Sequence, residues 1–197
     1  MNIFFLSEEP NEAAKMACDR HSIKMILESA QMLSTGLRQH GYDESKHEGL
    51  DPRFEKWVYG LAYPKHPSTI WAGKTRANFE WLVEHALALC REYTARYGKF
   101  HKSEEILHRC ADLKHWIPTG CLTVPPKCMG LEYKVGGSNW KDVVASYRKY
   151  YRLGKNYMNK GNGPQWKKIP SRKPSWFSVK FDKNKAAQMS AQTKNHI

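Results

Sequence analysis

The last third of this sequence has almost no acidic residues. Residues 134–197 contain 15 lysines and arginines but only Asp142 and Asp182 as acids, whereas residues 1–133 contain 17 basic and 17 acidic residues. The net charge of +13 therefore comes entirely from the C-terminal third. A basic excess confined to one region is typical of proteins that bind a polyanion, most often nucleic acid.

Other absences exclude several classes of protein. No apolar run approaches the ~20 residues that span a bilayer, and the apolar residues 1–6 lack the basic start of a signal peptide. We therefore expect a cytoplasmic protein without a membrane partner, and the five cysteines without a CxxC pair favour reduced thiols. The GxxxxGK, GxGxxG and GxSxG motifs do not occur, which argues against an ATPase, a nicotinamide enzyme and a serine hydrolase. The histidines and cysteines lack the spacing of a zinc site, so we expect neither a metal nor a cofactor.

The spacing of apolar residues predicts a mostly α-helical chain in which strand signals are few. Pro10 and Gly36 bracket the first predicted helix, and Ser68 and Gly98 bracket a long one. Helices are predicted over residues 11–33, 52–59, 69–97, 103–113 and 138–159. The apolar start is predicted to be a buried extended segment, and residues 116–137, rich in proline and glycine, a long loop. We expect one domain over residues 1–181 and a disordered basic tail over 182–197.

The first predicted helix carries a narrow polar stripe. His21, Lys24, Glu28 and Gln31 fall within roughly an 80° sector of one helix face, and the rest of the helix is largely apolar. Such a stripe is typical of a cleft wall, where a lysine and a glutamate one turn apart influence each other's charge. It is equally typical of a surface ion pair of little energetic weight. The pattern alone leaves both interpretations open, and it predicts that the opposite apolar face is buried.

Aromatic residues alternate with the cations of the last third. Rings that stack on bases and cations that hold phosphates are combined in this way in nucleic-acid-binding proteins, although we expect some of the rings to close the core. His66, at a predicted helix start, is a further candidate for a phosphate contact. The DNA-binding residues expected in the last third are Arg148, Lys149, Arg152, Lys155, Lys167, Lys168, Arg172 and Trp176.

Three short segments form a more specific pattern. In residues 17–28, His21 precedes Glu28 by seven positions; residues 66–71 open a long predicted helix that ends in Arg-Tyr-Gly; and residues 172–177 contain Pro-Ser-Trp-Phe. In this order the segments resemble the phage endonuclease V, or pyrimidine-dimer DNA glycosylase, family, and the sequence is still more similar to small phage proteins that open with Met-Asn-Ile-Phe. The resemblance implies an all-α, single compact helical domain of the endonuclease V type with a basic C-terminal arm. It also implies that the N-terminus runs toward the active site. The protein is expected to act in the cytoplasm of an infected bacterial cell.

The resemblance also implies a mechanism. In the family, an amine attacks the sugar carbon that carries the damaged base, a Schiff base forms, and elimination then nicks the strand. By position, Glu28 would stabilise the positive charge and move protons, with His21 on the same helix face. Arg20 and His66 would contact phosphates near the lesion.

The identity of the nucleophile is open at this stage. The family uses the α-amine of a small residue that is exposed when the initiator methionine is removed, whereas Asn2 favours retention of Met1. The α-amine of Met1 is one candidate, because α-amino groups are nucleophilic near neutral pH. Lys24 is the other: burial would favour its neutral amine, and the neighbouring Glu28 carboxylate would oppose this.

Three functions are compatible with these features. The first is a monomeric DNA glycosylase and AP lyase that flips a damaged base of pyrimidine-dimer type, or a modified base, out of double-stranded DNA. The second is a phage transferase that hypermodifies a thymine on the same fold, with residues 116–137 holding a small co-substrate. The third is a non-enzymatic phage DNA-binding protein, which has no need of the polar stripe.

Overall fold

A computed structural model describes residues 1–46 and 57–177 of the chain. Its α-helices are α1 (Pro10–Lys15), α2 (His21–Gln39), α3 (Pro67–Lys74), α4 (Arg76–Tyr97), α5 (Glu104–Asp112), α6 (Trp140–Leu153) and the single turn α7 (Met158–Gly161). No strand occurs among the described residues, which confirms the predicted mostly-α class. The predicted tail over 182–197 and most of the predicted helix over 52–59 lie outside the described residues, and residues 57–59 are not helical.

The single helix predicted over residues 11–33 is wrong, because the chain breaks between α1 and α2. In the break, the Cys18 N–H donates to the Tyr151 hydroxyl at 2.9 Å, and the Asp19 N–H donates to the Gln165 carbonyl at 2.9 Å. The Asp19 carbonyl in turn accepts a 3.1 Å hydrogen bond from the Tyr97 hydroxyl. Partners from distant parts of the chain thus replace the helical hydrogen bonds that local sequence would favour.

Gly36, predicted to lie beyond the first helix, is inside α2 at the crossing with α3. A Cβ atom built on Gly36 would lie 3.3 Å from the Gly73 Cα atom, and one built on Gly73 would lie 3.2 Å from the Gly36 Cα atom. Glycine at both positions therefore lets the two helix backbones approach closely. This crossing fixes the end of α3 relative to α2.

The long helix predicted over residues 69–97 is divided in two. Thr75 has an extended backbone, with φ −139° and ψ 154°, and its hydroxyl caps α4 by accepting the Asn78 N–H at 3.2 Å. The last predicted helix is also shorter than expected, because it ends at Leu153. Asn139 rather than Ser138 caps it, in a reciprocal capping box with Asp142. The predicted helix over 103–113 is confirmed as α5, and residues 116–137 contain no α-helix.

The predicted burial of the apolar face of α2 is confirmed for Ile26, Ala30 and Leu33 but not for Ile23 and Leu27, which are 39% and 41% exposed. Within the polar stripe, His21 and Glu28 are only 7% and 8% exposed. The cause is the N-terminal segment, which is buried as predicted over residues 3–6 and covers these two side chains. Burial of Glu28 thus results from a tertiary contact and not from the helical pattern.

The arm that follows α6 is bound to the helical body. The main-chain N–H groups of Lys167 and Lys168 both donate to Asp19 Oδ2, at 2.7 and 3.2 Å. Farther along, Arg172 Nη2 lies 3.0 Å from Glu92 Oε1 on α4. The described part of the arm is therefore part of the folded domain.

Candidate active site

The buried N-terminal segment brings the chain's α-amine to Glu28. The Met1 nitrogen lies 3.9 Å from Glu28 Oε2, and the side chains of Met1 and Glu28 are only 2% and 10% exposed. The main-chain N–H of Asn2 donates to the same carboxylate oxygen at 2.9 Å. Two adjacent nitrogens of the chain therefore face one oxygen of a carboxylate that is almost completely removed from solvent.

Lys24 approaches the other oxygen of Glu28 from the solvent side. Its Nζ atom lies 3.3 Å from Glu28 Oε1, and its side chain is 70% exposed. Lys24 therefore lacks the burial that would favour a neutral amine, and an ion pair this exposed contributes little to stability. The structure brings both candidate nucleophiles to Glu28; the Met1 side chain is buried, whereas that of Lys24 is exposed.

Asn2 holds the N-terminus in place with its side chain. Its Nδ2 atom donates to the Cys128 carbonyl at 2.9 Å, while Oδ1 accepts the Ile3 N–H at 2.8 Å and lies 3.1 Å from the Tyr147 hydroxyl. Burial raises the pKa of Tyr147 well above its ordinary value, so the hydroxyl keeps its proton and donates. Sequence reasoning missed this role for Asn2, because Cys128 and Tyr147 are more than a hundred residues away in the chain.

His66 belongs to the same site. Its Nδ1 atom accepts the Ser68 N–H at 3.1 Å and so caps α3, which leaves Nε2 available for another partner. Burial lowers the pKa of His66, the positive amine of Met1 lowers it further, and the Glu28 carboxylate opposes the shift. These influences show that His66 is near both members of the amine–carboxylate pair, and they favour its neutral form.

His21 contacts the N-terminal segment and α6. Its ring stacks on Phe4 with a centroid distance of 4.3 Å, and Nδ1 is 2.8 Å from the Tyr151 hydroxyl. Burial, assisted by Lys155 and other nearby cations, lowers the pKa of His21 to about 3. The Tyr151 oxygen also accepts the Cys18 N–H at 2.9 Å, so one hydroxyl joins the start of α2 to the break before it. His21 therefore positions Phe4, three residues after the amine.

A groove of about 740 Å³ opens beside His66. One wall is the loop that precedes α6, and the groove also includes Cys128, whose carbonyl binds Asn2. Lys127 stiffens this loop, because its Nζ atom donates to the carbonyls of Val135 and Gly137 at 2.6 and 2.8 Å. The groove is thus a formed space that reaches the site through His66 and Cys128, and it can hold a small molecule.

The residues predicted to bind DNA fall into two groups, those held by contacts within the protein and those that are exposed or half-buried. Three of them are held by contacts within the protein: Arg148 Nε donates to the Leu6 carbonyl at 2.9 Å, its guanidinium lies 5.3 Å from the Trp176 ring centre, and Arg172 pairs with Glu92. Arg20, Lys167 and Lys168 are exposed, and the other expected cations, Lys149, Arg152 and Lys155, are half-buried. The Lys155 amine lies 4.6 Å from the Tyr150 ring centre.

The function of this site has to be inferred from its geometry, because the comparisons with known proteins give no match. No family model, no curated protein and no solved structure matches this chain. In residues 1–46 and 57–177, no group of three His, Cys, Asp or Glu side chains is placed to hold a metal ion. No helix in that part of the chain has the length and apolar character needed to cross a membrane.

Proposed function

We propose that this protein is a DNA glycosylase with AP lyase activity that acts on a damaged base of pyrimidine-dimer type, or on a modified base, after the nucleotide has been flipped out of double-stranded DNA. The observation that carries the proposal is the α-amine of Met1 at 3.9 Å from the buried Glu28 carboxylate. An amine is a competent nucleophile toward a sugar carbon, and a carboxylate beside it can accept its proton.

The proposed chemistry has two stages. The amine nitrogen forms a bond to C1′ of the deoxyribose as the bond from C1′ to the base breaks, and the base leaves with that electron pair and takes up a proton. Glu28 accepts a proton from the amine, and opening of the sugar ring gives a Schiff base between the nitrogen and C1′. Loss of a proton from C2′ then breaks the bond between C3′ and its phosphate oxygen, which nicks the strand.

Glu28 is suited to both stages because each of its oxygens is fixed. The Asn2 N–H holds Oε2 and Lys24 holds Oε1, so the carboxylate is oriented before a substrate arrives. Positive charge develops on the sugar as the base leaves, and a buried carboxylate stabilises it more strongly than one in water. In this proposal Lys24 is a partner of Glu28, and the α-amine is the nucleophile.

Access to the sugar requires that the nucleotide leave the duplex, which costs a few kcal/mol and least for a damaged pair. Contacts between phosphates and exposed cations offset this cost. Arg20, Lys167 and Lys168 are exposed, and the unoccupied Nε2 of neutral His66 can donate to a phosphate oxygen beside the sugar.

The groove beside His66 supports a second candidate function. A lyase that uses its own amine needs space only for the extruded nucleotide, whereas a transferase also needs a site for a small co-substrate. The groove of about 740 Å³ beside His66 and Cys128 meets that need. In this case the nucleophilic atom of the co-substrate would bond to the modified carbon of the thymine as the bond from that carbon to an oxygen leaving group breaks, and Glu28 would accept the proton that the nucleophile loses.

Borohydride trapping on ultraviolet-irradiated and abasic duplexes tests the leading proposal. A Schiff-base adduct should form, and mass spectrometry should place it on the N-terminal peptide. The Lys24→Arg variant should still form the adduct, whereas protein with a blocked α-amine should not. Absence of both an adduct and strand nicking on either duplex would contradict the lyase, and transfer of a labelled co-substrate to DNA would then support the transferase.

A further inference from the structure

Five large apolar side chains are exposed around the candidate active site. Among the described residues, Ile23, Leu27, Leu61, Tyr63 and Ile70 are 39%, 41%, 63%, 68% and 53% exposed. We call this set the apolar rim. Exposed apolar side chains that cluster beside a functional site are typical of a surface that another molecule covers.

The rim is connected to the site by short contacts. Leu27 directly precedes Glu28 on α2. The His66 N–H donates to the Tyr63 carbonyl at 3.0 Å, and the Ile70 N–H donates to the His66 carbonyl at 3.0 Å. Tyr63 and Ile70 are therefore joined to His66 through the main chain, and Leu27 is the chain neighbour of Glu28.

The charges on the rim indicate which kind of molecule covers it. Arg20, Lys24, Lys65 and Lys74 are exposed around the apolar side chains, and residues 57–79 contain no aspartate or glutamate. A surface on which exposed apolar side chains alternate with exposed cations is complementary to DNA, whose bases are apolar on their faces and whose phosphates are negative. The neutral N-terminal two-thirds of the chain thus contributes a locally positive surface of its own.

Tyr63 is the most exposed member of the rim, and its backbone is unusual. Its φ of 49° lies in the left-handed region, which a bulky residue rarely adopts and which glycine adopts without strain. Its ring is not needed for the core, because it is 68% exposed. A strained, solvent-exposed aromatic side chain next to a reactive pair points to a role in function rather than in folding.

We propose that Tyr63 is a wedge that enters the DNA base stack at the position vacated by the extruded nucleotide, while Lys24 and Lys65 contact the flanking phosphates. The inference rests on the proposed function, because it assumes that the site acts on a flipped nucleotide. Side chains that replace an extruded base prevent its return and keep the duplex open. The tyrosine ring can stack on the neighbouring base whatever its identity.

Fluorescence of 2-aminopurine tests the wedge directly, because an aromatic ring that stacks on this base quenches it. The probe is a duplex in which 2-aminopurine, paired with thymine, lies next to a tetrahydrofuran abasic site. Wild-type protein at saturation should lower the fluorescence, and Tyr63→Phe should retain the fall. Tyr63→Ala should lose most of the fall, and Tyr63→Gly should do the same although glycine suits the backbone. Phe100→Ala, which removes an aromatic ring that is 81% exposed outside the rim, is the matched control and should behave like wild type.

Affinity measurements separate wedging from general binding. Tyr63→Ala should weaken binding to the abasic duplex about tenfold, as expected for the loss of one stacked ring. The same variant should bind a single strand of the same sequence within about twofold of wild type, because no stack has to be opened. An equal loss on duplex and single strand, no fall in fluorescence with wild type, or a full fall with Tyr63→Ala would each overturn the wedge.

Borohydride trapping with the same proteins keeps the two proposals distinguishable. A wild-type protein that quenches 2-aminopurine in a Tyr63-dependent manner but forms no adduct contradicts the lyase and supports the wedge. A protein that forms the adduct and quenches the probe equally well without Tyr63 supports the lyase and contradicts the wedge.

Discussion

The main-chain N–H of Asn2 donates a 2.9 Å hydrogen bond to Oε2 of Glu28, a residue 26 positions later in the chain. This contact aligns the N-terminal segment with α2 and leaves the Met1 nitrogen 3.9 Å from the same oxygen. The amine and the carboxylate are therefore held together by the fold before any ligand binds, which is the arrangement that a preorganised catalytic pair requires.

Glu28→Gln should abolish turnover and leave DNA binding largely intact. The amide keeps the shape of the side chain and can still accept the Asn2 N–H, but it cannot take a proton from an amine. Single-turnover nicking assays and equilibrium binding to an abasic duplex measure the two effects separately. Lost affinity with normal turnover per bound complex would show that Glu28 has a structural role instead.

Tyr147→Phe should slow adduct formation and cost about 1–3 kcal/mol of unfolding free energy. The substitution removes the hydroxyl that lies 3.1 Å from Asn2 Oδ1 and that accepts the Cys128 N–H at 3.2 Å, so buried polar groups lose a partner. Borohydride trapping rates and chemical denaturation are the measurements. Tyr157→Phe, at a tyrosine that is 65% exposed, is the control and should change neither quantity.

Gly36→Ala should destabilise the protein by about 1–3 kcal/mol, even though alanine favours helix by up to about 1 kcal/mol. The new methyl group would meet the Gly73 backbone at 3.3 Å, and relief requires that α2 and α3 move apart. Thermal unfolding of the variant gives the difference. Gly60→Ala, where a Cβ atom meets nothing within 4 Å, should be nearly neutral, and equal effects at both positions would argue against the close crossing.

The free energy of unfolding should fall as the pH decreases below about 6.5. Burial lowers the pKa of His85 from 6.5 to about 4 and, together with nearby cations, that of His21 from 6.5 to about 3. Between pH 6.5 and the lowered pKa values of about 3 and about 4, the unfolded chain binds protons that the native state excludes. Stability that is present above pH 6.5 is therefore lost as the pH falls toward 3–4.

Denaturation curves at a series of pH values provide the test of this pH dependence. His85→Phe keeps a ring stacked on Trp81 and removes the titrating group. The unfolding free energy that is lost over this pH interval should therefore be smaller by an amount of the order of 2–3 kcal/mol. An unchanged slope in this variant would show that His85 does not exclude a proton in the native state.

Truncation after Phe177 should weaken DNA binding and flatten its dependence on salt concentration, yet preserve the chemistry at Glu28. Residues 178–197 contain four lysines and one acid, so the slope of log affinity against log salt should decrease in magnitude by up to about 3. Replacing the same four lysines by glutamine in the full chain is the matched control. Loss of single-turnover chemistry at saturating protein would contradict the division into a basic tail and a separate site.

Local spacing was sufficient to predict part of the site. His21, Lys24 and Glu28 share a helix face because side chains three, four and seven positions apart lie one or two turns from each other. The same local rule correctly predicted a mostly-α chain, the helix α5 and the buried apolar start. It could not predict that the stripe would be covered, because the N-terminal segment that covers it belongs to no helical period.

The sequence by itself determined the helical class, the order of charges along the chain and which side chains share a face, since each depends on residues close together in the chain. Only the tertiary structure decided which face of α2 is buried, where the first predicted helix breaks, and that Asn2, Cys128 and Tyr147 meet at the amine. It also grouped Tyr63 and Ile70 around His66 as part of the apolar rim. These features depend on contacts between distant segments, whose geometry is set by the packing of the whole core.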